Sequence, residues 1–177
     1  MSVYPAWLAG TRTTADKLLA GQTQLIQKTA DESVTSNTTP QNDNDLFVAL
    51  AANATYVIDA WIFAYAGAKP SVANVDLKTD WAPPTDATGW KWCTGPATSM
   101  TDGNRDNTSV VMALSGFGTD RSYGLDDANN GVVVHEHLLV TTSTTAGTMQ
   151  FRWSQNTSSA TAATVGALSH LIVTRLA

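Results

Sequence analysis

From Gln22 onward the chain repeats one pattern, a short apolar stretch followed by a cluster of turn formers, at fairly regular spacing. That rhythm predicts an all-β domain, a sandwich or barrel of eight or nine strands. The predicted strands run over Thr23–Lys28, Leu46–Leu50, Ala54–Ala66, Val72–Trp81, Trp90–Thr94, Ser109–Ser115, Val132–Thr142, Thr148–Gln155 and Leu168–Leu176. A weaker segment surrounds Ser122–Leu125. The stretch Asp31–Asp45 is filled with Ser, Thr, Asn and Asp, shows no periodicity and reads as a polar loop.

Side chains alternate across a strand, so the letters at every second position define a face. In Ala54–Ala66 one face holds Tyr56, Ile58, Ala60, Ile62 and Ala64, and the other Val57, Asp59, Trp61, Phe63 and Tyr65. Both faces are largely apolar, which predicts a central strand whose outer side is covered by a neighbouring chain or a long loop. Asp59 is the one charged residue in the outer row and reads as a paired or rim residue. In Thr148–Gln155, Met149, Phe151 and Trp153 form the predicted core side, with Gln150, Arg152 and Ser154 facing water.

Residues 1–22 do not share this pattern. They carry Tyr4-Pro5-Ala6-Trp7-Leu8-Ala9-Gly10 and a short stretch, Thr14 to Gly21, that Thr14 could cap as one helical turn. A segment this short is marginal in water and needs a surface to lie on. The division is therefore an arm over 1–22 and a folded domain over 23–177, with Trp7, Leu8, Leu18 and Leu19 as the arm's anchors. At 177 residues the chain has the size of one ordinary domain.

Composition narrows the partners. Charged residues make up 14% of the chain, and their place is taken by 26 Thr, 25 Ala and 13 Ser. Scarce Glu and Lys with abundant β-branched Thr favour strands over helices. A net charge of −5 offers no basic field to a phosphate backbone, so no nucleic-acid partner is expected. No apolar run reaches the ~18 residues of a membrane span, and no secretory leader is apparent, so synthesis in the cytoplasm without a membrane partner is the expectation.

Candidate chemistry is sparse. His135-Glu136-His137 lies in a predicted strand, where two imidazoles two residues apart share a face. A metal site needs further ligands, and His170 is the only other histidine, so no metal or other cofactor is expected. Asp102-Gly103-Asn104-Arg105-Asp106 opens like a calcium loop, but Asn107 and Ala113 stand where the turn glycine and closing glutamate belong. A looser calcium site with Asp126 or Asp127 is the remaining form of that idea. Cys93, the single cysteine, reads as a buried inert thiol. No nucleophile elbow, phosphate loop or acid–base carboxylate pair is present, so no catalytic residues are assigned and no enzyme is expected.

Several stretches carry a resemblance to a known group. Trp7-Leu8-Ala9-Gly10, Asp45-Leu46-Phe47-Val48-Ala49-Leu50, Ala52 to Ile58, Asp76 to Pro84, Gly147 to Ser158 and Leu168 to Val173 resemble virion proteins of tailed bacteriophages, particularly those of actinobacteria. These are described as minor tail, head fibre or capsid decoration proteins. The resemblance implies a jelly-roll sandwich of the tumour necrosis factor and complement type, assembled as a homotrimer. It further implies a decoration protein on the capsid surface. Tyr4, Trp7, Leu8, Leu18 and Leu19 would then dock on the major capsid protein, and Trp61, Phe63 and Tyr65 would meet at the trimer interface. The alternative is a minor tail or tail-tip protein that adsorbs to host cell-surface glycans. Fibre-type members often have coiled-coil or collagen-like shafts, and this chain has neither.

Overall fold

The computed structural model describes residues 10, 12–14, 21–67, 75–98, 110–127 and 129–176. The arm anchors Tyr4, Trp7, Leu8, Leu18 and Leu19 and the loop Asp102–Asp106 lie outside the described residues. Among the described residues there are twelve strands and no helix, hence none long and apolar enough to cross a membrane.

The strands are β1 (Gln24–Gln27), β2 (Glu32–Val34), β3 (Gln41–Leu50), β4 (Thr55–Ala66), β5 (Leu77–Ala82), β6 (Thr88–Pro96), β7 (Val110–Ser115), β8 (Arg121–Tyr123), β9 (Val132–Thr141), β10 (Gly147–Gln155), β11 (Ala163–Val165) and β12 (His170–Arg175). They form two antiparallel sheets. The larger runs β1-β12-β4-β9-β6-β7, with β11 pairing β4 beyond the end of β12 and β2 pairing β11. The smaller runs β3-β10-β5-β8. From β2 to β11 the chain crosses between sheets at every step but β6–β7, which is how a β-sandwich encloses one core.

The core is the alternate residues of both inner faces. Tyr56, Ile58, Ala60, Ile62 and Ala64 of β4 are all buried, as the alternation predicts, and face Met149, Phe151 and Trp153 of the small sheet. Ser154 departs from the expected pattern: it is fully buried, as is Gln155 beside it at the end of β10.

The expected loop Asp31–Asp45 is mostly strand, and here the sequence reading is corrected. Gln41 and Asn42 pair with Trp153 and Arg152, while Phe47 to Leu50 pair with Gln150 to Gly147, so the residues between form a bulge. Asp43 folds that bulge: its Oδ1 accepts the N–H groups of Asp45 and Leu46. The same carboxylate accepts the Lys28 ammonium at 3.0 Å and the Trp153 indole N–H at 3.1 Å. Lys28 is buried and also donates to Glu32 at 2.8 Å. Burial alone would depress its pKa, but the hydrogen bonds and charges of Glu32 and Asp43 outweigh it and hold the pKa above its ordinary value.

Candidate functional site

The strand pairings lay the outer face of the large sheet out in rows. One row reads Trp90, Leu139, Val57 and Thr174 across β6, β9, β4 and β12. The next reads Trp92, His137, Asp59, Ile172 and Leu25, and the third Thr94, His135, Trp61, His170 and Gln27. Val133 and Phe63 follow. The rows place Leu25, Trp61, Phe63, Trp90, Trp92, Val133 and Leu139 on one surface, all of them exposed, with Trp90 at 56%. Singly exposed apolar residues need no explanation, but a contiguous set of this size marks an interaction surface.

The expected interface residues stand on this face, though not equivalently. Trp61 and Phe63 are exposed, whereas Tyr65 is half-buried and donates its hydroxyl to Asp31 Oδ2 at 2.7 Å. That bond raises the Tyr65 pKa, and Asp31 is lowered by the Ala167 N–H and by Tyr65. Tyr65 therefore fastens the β2–β11 edge to the body of the sheet. A shallow groove lined by Leu25, Gln27, Phe63, Leu168 and His170 lies on the same side.

At the centre of the face are three polar side chains. His135 Nε2 lies 3.1 Å and His137 Nδ1 2.5 Å from Asp59 Oδ1. Each imidazole is stacked on a tryptophan, His135 on Trp61 with centroids 4.3 Å apart and His137 on Trp92 at 3.9 Å. The histidines do share a face, as the sequence implied. Asp59 as their partner was not foreseen; the available signal was its position as the lone charge in an apolar row.

The remaining candidates are structural. Asp127 caps its own turn, accepting the Asn129 N–H and the Asn130 side-chain amide. Asp126 accepts the Asp127 N–H and is buried. Cys93 is buried, and desolvation with the nearby Glu136 charge pushes its thiol up to about 11, so it is not a nucleophile at neutral pH. Glu136 points into the core, where it accepts from Thr79 Oγ1 at 2.5 Å, Trp81 Nε1 at 2.6 Å and the Tyr123 hydroxyl at 2.9 Å. Burial raises the Tyr123 pKa further, so that group stays a neutral donor.

The molecule is thus an all-β sandwich whose larger sheet presents an exposed face rich in aromatic side chains. No protein-family model matches the chain, and no curated protein matches it in sequence. Among solved structures it is similar to that of infectious bursal disease virus, Gt strain, at 11% identity and a TM-score of 0.24, over 88% of this chain and 37% of that one. The Gx strain of the same virus gives 8% and 0.23, over 88% and 36%. A human norovirus GI.7 Houston strain virus-like particle gives 12% and 0.22, over 93% and 34%. The chain therefore spans about a third of the length of these structures. All three are structures of a virus or a virus-like particle, and at such TM-scores none assigns this chain a role.

Proposed function

We propose that this chain is a structural protein of a bacteriophage virion, a homotrimeric decoration protein on the outer capsid surface, held there by an arm over residues 1–22. The exposed apolar face of the large sheet carries the reading. Five inter-strand spacings of ~4.8 Å by strands of ~30 Å give roughly 700 Å². That is close to the ~800 Å² each partner contributes to a standard interface. A second copy of the chain is the occupant we assign to it, with Trp61 and Phe63 as anchors.

The strand order supports the jelly-roll reading. Of the eight strands β3 to β10, the small sheet takes the first, eighth, third and sixth, and the large sheet the second, seventh, fourth and fifth. Two nested Greek keys folded together produce this arrangement. The resemblance of the sequence to phage virion proteins supplies the trimer, the phage context and the major capsid protein as the arm's target. Three arms on one rigid trimer raise the effective concentration of each further contact, so weak arms add up to durable attachment.

Sedimentation equilibrium of the full chain is expected to give a trimer. Phe63→Asp, on the apolar face but outside its polar centre, is expected to give monomers with unchanged circular dichroism. A wild-type monomer at about 100 μM would overturn the trimer, given the affinities that interfaces of this size reach. A chain lacking residues 1–22 that still decorates capsids would overturn the docking arm. The second reading, a tail-tip protein binding host glycans, is favoured by one observation: Trp90 presents a free aromatic ring of the kind that stacks on sugars. Copy number separates the two, since decoration requires hundreds per virion and a tail tip a handful.

A further inference from the structure

We propose that Asp59, His135 and His137 form a binding site for a divalent first-row transition metal, on the outer face of the large sheet. The donors come from two neighbouring strands. His135 and His137 are alternate residues of β9, and Asp59 lies directly across from His137 on β4. The three ligand atoms all lie within 4.8 Å of one another. A tetrahedral ion with bonds of ~2.0–2.1 Å needs donors ~3.3 Å apart. The 3.1 Å separation of His135 Nε2 from Asp59 Oδ1 already meets this. The 2.5 Å separation of His137 Nδ1 from the same oxygen opens to it by a small rotation of the carboxylate.

Two imidazole nitrogens and one carboxylate oxygen suit zinc, nickel or cobalt better than magnesium or calcium, which favour all-oxygen shells. The side chains are partly exposed, at 31% for Asp59, 28% for His135 and 21% for His137, so an ion can enter from water and keep a solvent ligand. The rings are oriented in advance by their stacking on Trp61 and Trp92, and the backbone by pairing on both edges of β4 and β9. Without metal, the two histidines bring two contacts to a single carboxylate oxygen. Metal binding replaces the protons in those contacts and leaves each ring protonated on its other nitrogen.

The test is equilibrium dialysis of tag-free full chain against Zn²⁺, read by metal analysis, with Co²⁺ substitution read by visible absorption. One Zn²⁺ per chain is expected; the Phe63→Asp chain, whose aromatic face no second copy would cover, is dialysed beside wild type, so failure of the trimer and failure of the metal site are read separately. His137→Gln and Asp59→Asn should each weaken binding by about 10-fold or more. His170→Gln, on the same face but outside the cluster, should leave it unchanged. Circular dichroism confirms folding, and His135→Gln replaces any variant that fails to fold. Stoichiometry below about 0.2 per chain, or affinity within about 2-fold of wild type in both ligand variants, would overturn the site. So would an equal loss in His170→Gln, which would mean adsorption to surface histidines.

Discussion

Replacing Lys91 by Met tests the polar knot between the two sheets. Lys91 and Glu136 are both fully buried, and the Lys91 ammonium lies 3.8 Å from Glu136 Oε2 without a hydrogen bond among the described residues. At that distance an effective dielectric of ~20 gives an attraction of about 4 kcal/mol. Removing one partner of a buried pair typically costs about 3–5 kcal/mol, because the other charge is left uncompensated. Met fills a similar volume, so packing adds little. Glu136→Gln should cost as much: it strands Lys91, and its amide cannot accept from both Trp81 Nε1 and the Thr79 and Tyr123 hydroxyls on the other oxygen. The double variant removes both ions, so it should be more stable than the two single losses predict, by about 2–3 kcal/mol. Urea unfolding followed by tryptophan fluorescence, at one protein concentration, measures all four proteins. Additivity within about 0.5 kcal/mol would show that the two charges are not coupled, and would refute the pairing.

Two other outcomes follow from local geometry. Gly89 has φ +143°, and a Cβ there would lie 1.9 Å from the Leu139 carbonyl oxygen and 2.8 Å from the Phe117 ring, so Gly89→Ala should lower stability by more than about 2 kcal/mol in thermal unfolding. A loss below ~0.5 kcal/mol would mean that β6 does not approach β9 this closely. Asp76 is raised to about 6 by burial, partly offset by the Asn156 side chain. Its folded state therefore holds a proton that the unfolded chain releases near its ordinary 3.8, and its contribution to stability declines as the pH rises from about 4 through 6. Asp76→Asn should match wild type near the bottom of that window and melt at higher temperature above it; an equal difference at both ends would refute the shift.

The parts of the fold visible in the sequence are those where period and burial coincide. In β4 both alternating rows are largely apolar, so its bounds and its two rows can be read directly. The first half of β3 could not be found this way. Gln41-Asn42-Asp43-Asn44-Asp45 has no apolar alternation, because its inward group is a carboxylate matched to Lys28 and Trp153, more than a hundred residues away in the latter case. β11 escaped for a different reason: three small residues, Ala163-Thr164-Val165, give too short a window for any period. Asp59 and its histidines are 76 and 78 residues apart, and only the β4–β9 register joins them. A low charge fraction also does not say where the few ions stand. Several of the few charges, Lys28, Asp43, Lys91 and Glu136, lie inside.

The outer charges distinguish the two faces of the sandwich. On the small sheet, Arg152 grips Asp80 with both ends of its guanidinium fork, and Lys78 approaches Asp120 at 3.9 Å. Covering that face would strip water from several ions at once. Opposite it, the rows from Trp90 to Leu25 contain no lysine or arginine, and Asp59, the one acid, is already engaged by two histidines. The two sheets each carry an exposed phenylalanine, Phe47 on the small one and Phe63 on the large one. They form a matched pair for the same substitution. Phe47→Asp adds a charge to a face already ionic and should leave the sedimentation mass at the wild-type value. Phe63→Asp places it among Trp61, Val133 and His170 and should reduce that mass to the monomer. Equal effects from the two would mean that association does not use the aromatic face, and the assignment of a second copy to it would fall.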